Sequence, residues 1–242
     1  MSAAAPSAPS PPRDERLSLD RVTIVSVNGR DPERSALAIN HSSRSLRFAE
    51  RLLITNRNLS LPGIRTINTG GLSSISDYNL LIVKELHRHV RTEFCLIVQS
   101  DGFVVNPWLW TDFYLHYDYI GAPWNMICSL EALMKAGKAG TSNVSILVGN
   151  GGFSLRSRRF LEASAQLDYE NPDLEEDCFL TVKNRERLEA KGMRFAPVEL
   201  ARQFSLETCY DGRSVLGNHF GFHGRFPHFS EYLAITHPEG QS

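Results

Sequence analysis

The run Phe94-Cys95-Leu96-Ile97-Val98 constrains the fold most, because five consecutive apolar residues suit a strand buried on both faces. Such a strand needs covering layers above and below it. A second run, Val22-Thr23-Ile24-Val25-Ser26-Val27, is β-branched and stops at Asn28-Gly29, which reads as another buried strand. Directly after it, Asp31-Pro32-Glu33 supplies a cap, a first-turn proline and a first-turn acid, and so predicts a helix reaching into the forties. Short strands are expected near Leu52-Leu53-Ile54-Thr55 and over residues 64–68, the latter after the Pro62-Gly63 turn. Ser76 can cap the next helix, whose Tyr78, Leu81, Ile82, Leu86 and Val90 share a face. Strands and helices alternating in this way predict β-α-β units and a mainly parallel sheet, with ligands beyond the carboxyl ends of its strands.

The second half is less regular. Residues 106–117 are aromatic and read as helical, Met126 opens a partial helix followed by a mobile loop, and residues 147–155 join two short strands through three glycines. A helix is expected from Ser157 to about Leu167, and another from Asn171 or Asp173 to Gly192, which suits a C-terminal stop. No internal repeat is present. The economical reading is one α/β domain over residues 18–242, preceded by an Ala/Ser/Pro-rich tail over residues 1–17 in which burial cannot repay the entropy of ordering.

Composition narrows the function classes. With 42% hydrophobic and 22% charged residues the chain is an ordinary globular one, and 26 basic against 27 acidic side chains leave a formal net charge of −1. No overall field attracts nucleic acid or an anionic membrane. Cys95, Cys128, Cys178 and Cys209 contain no Cys-x-x-Cys pair, so a zinc knot is not expected and the set reads as small core residues of a cytoplasmic protein. No stretch approaches the roughly 20 apolar residues of a membrane span, and the N-terminus lacks the apolar block of a signal peptide.

Several segments carry candidate chemistry, each beside a plainer explanation. Asp101, at the end of the central strand with Gly102 behind it, is placed to hold a hard divalent cation in a crevice, or simply to make the turn. Gly149-Asn150-Gly151-Gly152 lets backbone approach a phosphate or sugar closely, or forms a tight loop; it matches neither a P-loop nor a dinucleotide fingerprint. Glu175-Glu176-Asp177 suits a helix start by its dipole alone, yet one of these acids can face the same crevice as a general base. His223, between Gly221 and Gly224, is an approachable ligand or a hydrogen-bonded structural residue. Trp124, after Pro123, is a core residue or a flat face for a sugar ring.

In chain order, residues 96–103 (LIVQSDGF), 117–124 (YDYIGAPW), 149–157 (GNGGFSLRS), Glu176-Asp177 and Phe220-Gly221-Phe222-His223 resemble a bacterial protein family related to the GT-A class of nucleotide-sugar-dependent glycosyltransferases. The likeness spans about residues 20 to 228. It implies a GT-A-like single domain with a Rossmann-like, mainly parallel central sheet flanked by helices. Asp101 then matches the last acid of the Asp-x-Asp metal motif with Gln99 in place of the first, and His223 matches a late ligand for Mn²⁺ or Mg²⁺. On the same matching Ser26, Asn28, Tyr78, Asn79, Gln99 and Ser100 lie on the donor nucleotide, and Trp124, Asn150, Gly151 and Gly152 line the sugar and acceptor pocket. Asp177, with Glu176 beside it, supplies the base.

The resemblance therefore implies a cytoplasmic enzyme, peripheral to the membrane at most and placed in bacterial polysaccharide biosynthesis. It would transfer a hexose-type sugar, with inversion, from a nucleoside diphosphate to a glycan, lipid-linked or small-molecule acceptor. Gln99 in place of an acid motivates the alternative, a pseudoenzyme that binds sugar nucleotide or glycan without transfer. A metal-dependent phosphoesterase ranks last, for want of carboxylates.

Overall fold

The computed structural model describes residue 14 and residues 16–138, 145–207 and 216–224. In chain order its elements are β1 (Leu17–Val27), α1 (Pro32–Ser42), β2 (Leu46–Thr55), β3 (Arg65–Asn68), α2 (Ile75–Leu80), α3 (Leu86–His89), β4 (Phe94–Val98), β5 (Gly102–Val104) and β6 (Tyr119–Gly121). They continue with α4 (Met126–Lys135), β7 (Phe153–Ser157), α5 (Arg158–Ala165), α6 (Glu176–Cys178), α7 (Arg185–Ala190), α8 (Val198–Phe204), β8 (Ser205–Glu207) and β9 (Gly221–His223). Six strands form one sheet in the order β3-β2-β1-β4-β7-β6, and β5-β9-β8 form a small second sheet.

β1 pairs in parallel with β2 and β4, and β2 with β3. β7 runs antiparallel to both β4 and β6. The expected mixed α/β architecture with a mainly parallel central sheet is therefore present. The chain first steps outward from β1 through β2 to β3, then returns to place β4 on β1's other side. That reversal opens a crevice at the carboxyl ends of β1 and β4.

The apolar run of β4 is buried at all five positions, and its alternating side chains feed two layers. Leu96 and Val98 join Ile24, Leu53 and α1's Ala36 and Ile39 on one face. Cys95 and Ile97 join Val25, Leu52 and the helical residues Leu81, Ile82 and Leu86 on the other. A third cluster, around Tyr119, Trp124, Phe160, Phe179 and Phe195, fills the space behind β6 and the helices that follow it.

Local expectations hold where cap chemistry and periodicity agree. Asp31 caps α1 by accepting the Arg34 amide, with Pro32 and Glu33 in the first turn. The helix after β3 is capped by Ser74 rather than Ser76, because Asp77 returns a bond to the Ser74 amide and completes a capping box. Its turn over Leu81–Glu85 is π-helical, between α2 and α3. β2 begins at Leu46, earlier than expected, since Leu46 and Phe48 already alternate inward. β1 begins at Leu17, which pairs with Leu46; the rest of the Ala/Ser/Pro-rich tail lies outside the described residues, apart from Asp14 and Arg16.

Residues 107–109 and 112–116 form two 3-10 turns rather than one helix. The segment expected to start a helix at residue 171 or 173 stays irregular until Glu176, and Gly192 ends the region in a left-handed conformation. The loop expected after α4 falls largely on residues 139–144, outside the described residues. Cys95 and Cys178 are buried free thiols, but Cys128 is disulfide-bonded, so the core-thiol reading fails there. Cys209 lies outside the described residues.

Candidate active site

A cleft of about 770 Å³ opens where β1, β2 and β4 end. Val27, Asn28, Gly29 and Arg30 line it from β1, Asn56 from β2, and Gln99, Ser100 and Asp101 from β4. Residues 72–75 and Tyr78 close it from the side of α2. Gly29 is required there, because a Cβ would lie 1.8 Å from the Leu72 carbonyl oxygen. Leu72 itself holds a left-handed φ of 142°, a strained conformation for a side chain of its size.

At the inner end of the cleft the Gln99-Ser100-Asp101 turn meets β9. Gln99 Nε2 donates to the Tyr78 hydroxyl at 2.9 Å, and Gln99 Oε1 lies 2.9 Å from His223 Nε2. That nitrogen is 3.5 Å from Asp101 Oδ1. The other ring nitrogen, Nδ1, lies 3.0 Å from Glu207 Oε2 and 3.0 Å from Asn150 Nδ2. Burial opposes a charge on this imidazole, but the carboxylates of Glu207 and Asp101 outweigh it and push His223 up to about 10. The pairing of β5 with β9, and of β9 with β8, carries His223 and Glu207 to the strand that follows Asp101.

The four-residue loop before β7 is the hinge of the whole arrangement. A Cβ on Gly149 would lie 2.3 Å from the Trp124 ring, one on Gly151 2.1 Å from Glu176 Oε1, and one on Gly152 2.4 Å from the His223 ring. Each glycine makes room for a side chain from a different sequence motif. Tyr119 pins the loop from below by donating its hydroxyl to the carbonyls of Gly149 (2.8 Å) and Asn150 (2.9 Å). Asn150 Oδ1 closes the turn by accepting the Phe153 amide.

Asp177 sits on the far side of this loop, half-buried. Its carboxylate accepts the Gly151 amide at 3.2 Å and the Cys178 amide at 2.7 Å. Burial, and then the adjacent Glu176 carboxylate, push it up to about 7 against those two amides and Arg156. Near neutrality such a group exchanges protons readily, as a general base must.

The remaining sequence candidates divide cleanly. Asn28, Tyr78, Gln99, Ser100 and Asp101 all line the cleft, and Asn150, Gly151, Gly152 and His223 converge on the loop. Ser26 does not reach the cleft: it is wholly buried and shares the α1 side of β1 with Ile24, opposite Val27. Asn79 is buried as a brace, donating to the Pro172 carbonyl and accepting the Glu176 amide. Trp124 is only 8% exposed, because its ring fills the space above Gly149, so it offers no open face to a sugar. Glu176 is buried in a two-pronged ion pair with Arg156, each contact 2.9 Å, and is closed to a substrate.

Arg156 and Glu207 escaped the sequence reading. An arginine inside the strand Phe153–Ser157, next to the apolar Leu155, was the available signal for the first. For Glu207 the sequence holds none, since only the β8-β9 pairing brings it to His223.

Among the described residues no group of three or more His, Cys, Asp and Glu side chains is arranged to hold a metal ion. What converges instead is a carboxylate, an imidazole nitrogen and an amide oxygen: Asp101, His223 and Gln99. Such a set suits a cation that takes one carboxylate and completes its shell with substrate phosphate oxygens and water. Glu207 on Nδ1 is the kind of outer partner that orients a ligating histidine. Because Glu207 and Asp101 keep a proton on His223, the set fits a divalent ion only where binding it, together with a diphosphate, displaces that proton.

Residues 63–223 match the model of a family described as a protein of unknown function, DUF5672. No curated protein sequence matches the chain. Among solved structures, one similar to it is the galactosyltransferase LgtC in complex with donor and acceptor sugar analogs, at 15% identity and a TM-score of 0.47, covering 85% of this chain and 87% of that one. Another is a mannosyltransferase from Pyrobaculum calidifontis in complex with GDP-Man and Mn²⁺, at 10% identity and a TM-score of 0.42, covering 72% of this chain and 53% of that one.

Proposed function

The chain belongs to the DUF5672 family, and we propose that it is a nucleotide-sugar-dependent glycosyltransferase acting by inversion. One observation carries this reading: the loop 149–152 is shaped by side chains from three other motifs and joins the cleft at the strand ends to a carboxylate poised near neutrality. The cleft takes the nucleoside diphosphate along Asn28, Tyr78 and Ser100. Its diphosphate end points to Asp101 and His223.

Asp101 and His223 would hold a divalent ion, whose charge would offset the negative charge that grows on the departing diphosphate. Gln99, tethered by Tyr78, holds the imidazole in place. The acceptor hydroxyl approaches beside Gly151, and its oxygen bonds to the anomeric carbon as the bond to the diphosphate oxygen breaks. Asp177 takes the hydroxyl proton in the same step. Glycan, lipid-linked and small-molecule hydroxyls all meet this requirement, and no helix among the described residues is long and apolar enough to cross a membrane.

The decisive assay follows release of nucleoside diphosphate from a panel of sugar nucleotides with Mn²⁺, in the wild type and in Asp177→Asn. Turnover in the wild type with retained donor binding but lost turnover in the variant supports the enzyme. Tight donor binding without turnover across the panel supports the alternative, a sugar-nucleotide-binding pseudoenzyme. Gln99 favours that alternative, because an amide replaces one acid at the cation site and is already engaged by Tyr78 and His223.

A further inference from the structure

Arg156 stands next to last in β7, wholly buried, on the face it shares with the buried Ser154. Its guanidinium gives both forks to Glu176, Nη1 to Oε2 and Nη2 to Oε1, each at 2.9 Å. Nε donates to Ser154 Oγ at 3.0 Å, Nη2 reaches toward the Gly151 carbonyl at 3.5 Å, and the Tyr119 ring lies 5.1 Å from Cζ. Both terminal nitrogens are thus directed at the loop and at the start of α6, while Nε stays on β7.

A buried pair of this kind adds little net stability over an apolar pair of the same volume, because desolvating both charges offsets their attraction. Its value lies in where it puts other groups. Gly151 marks the meeting point: a Cβ there would lie 2.1 Å from Glu176 Oε1, 3.0 Å from Arg156 Nη2 and 3.1 Å from Asp177 Cβ. Two adjacent carboxylates therefore compete for one buried cation, and Glu176 takes its hydrogen bonds while Asp177 feels it only through space. Asp177 is left with two backbone amides.

We propose that Arg156 and Glu176 are positioning residues: their pair locks the loop 149–152 to the start of α6, and by occupying the guanidinium it withholds that cation from Asp177. Asp177 consequently remains a proton acceptor instead of a permanently paired anion. This rests on Asp177 being the base. The other charged or titratable groups around Asp177 are Tyr78 from α2, Tyr119 from β6, Tyr169, Cys178, and Glu175 with its ion-pair partner Lys135 from α4. Arg156 and Glu176 are the pair among them that shares contacts over Gly151.

The test is a titration of the Asp177 carboxyl by carbon NMR on full-length protein labelled at aspartate, assigned by comparison with Asp177→Asn. Glu176→Gln leaves the guanidinium charge uncompensated, so the midpoint should fall by about one pH unit or more. An unmoved midpoint overturns the tuning. Because that variant can misfold, the volume-matched double variant Arg156→Met with Glu176→Met is measured beside it. It removes both charges, should keep the fold, and should lower kcat for diphosphate release at least about tenfold with an unchanged donor KM. A wild-type kcat in the double variant overturns the positioning role. Full turnover in Asp177→Asn counts against the base assignment alone, since the titration is read without any turnover.

Discussion

The imidazole of His223 occupies the space that a side chain on Gly152 would need, with its Nε2 and Cδ2 each 2.4 Å from the position of a Cβ. The ring cannot retreat freely, since Asn150, Glu207 and Gln99 hold both nitrogens. Gly152→Ala should therefore leave the six-stranded sheet folded but weaken Mn²⁺-dependent binding of a nucleoside diphosphate about 10- to 100-fold, the usual effect of disturbing a ligand's support. Calorimetric titration with and without Mn²⁺ reads this directly, and unchanged affinity would remove His223 from the cation site.

Asp101 is the single carboxylate at the end of β4. Asp101→Ala should abolish the Mn²⁺-dependent part of the thermal stabilisation given by nucleoside diphosphates, while any metal-independent part, which comes from the cleft walls, persists. If the Mn²⁺ effect survives intact, the cation sits elsewhere.

Asp177 is pushed up to about 7, so its basic form is lost as pH falls through that value. Turnover should rise with pH across roughly 6 to 8 and then level. Asp177→Asn should lower kcat by about 10² or more and remove this rising limb without changing donor affinity. A variant that keeps the limb would assign it to another group.

His41 packs edge-on against Phe103 at 4.9 Å, and burial, aided by Arg44, pushes it down to about 4. Its folded-state affinity for protons lies below the unfolded value, so the stability it contributes is complete above about pH 6.5 and is lost as pH falls toward 4. A shift of this size corresponds to about 3 kcal/mol. His89 and His219 are shifted in the same direction by burial and add to the slope. The melting temperature of His41→Leu should depend less steeply on pH between 6.5 and 4 than that of the wild type; parallel curves would exclude His41 as a contributor.

Much of the framework can be read from local residue order, because its causes are local. The apolar run of β4 dictates a doubly covered strand, and Asp31-Pro32-Glu33 dictates the start of α1. The site is legible only where a residue must face the cleft by its place at a strand end, as Gln99 and Asp101 do. Trp124 and Asn79 follow another logic: whether a ring or an amide faces ligand or filler depends on which distant residue has left room for it, here Gly149 and the Glu176 amide. Arg156 and Glu207 acquire their roles from partners 20 and 16 residues away, one on a helix start and one on a paired strand, which no local pattern encodes. The glycines of the loop 149–152 are illegible for the same reason: the side chains that occupy their missing volume come from elsewhere in the chain.

The small sheet β5-β9-β8 also imposes a timetable on the protein. All six strands of the large sheet have been made once Ser157 is added, and the cleft walls with them. Glu207 and His223 arrive only with the last described strands. A chain that stops before Ser205 has the residues of the cleft walls but lacks the carboxylate and the imidazole at its inner end. On the proposed reading of the site, competence is conferred only once β9 has joined β5.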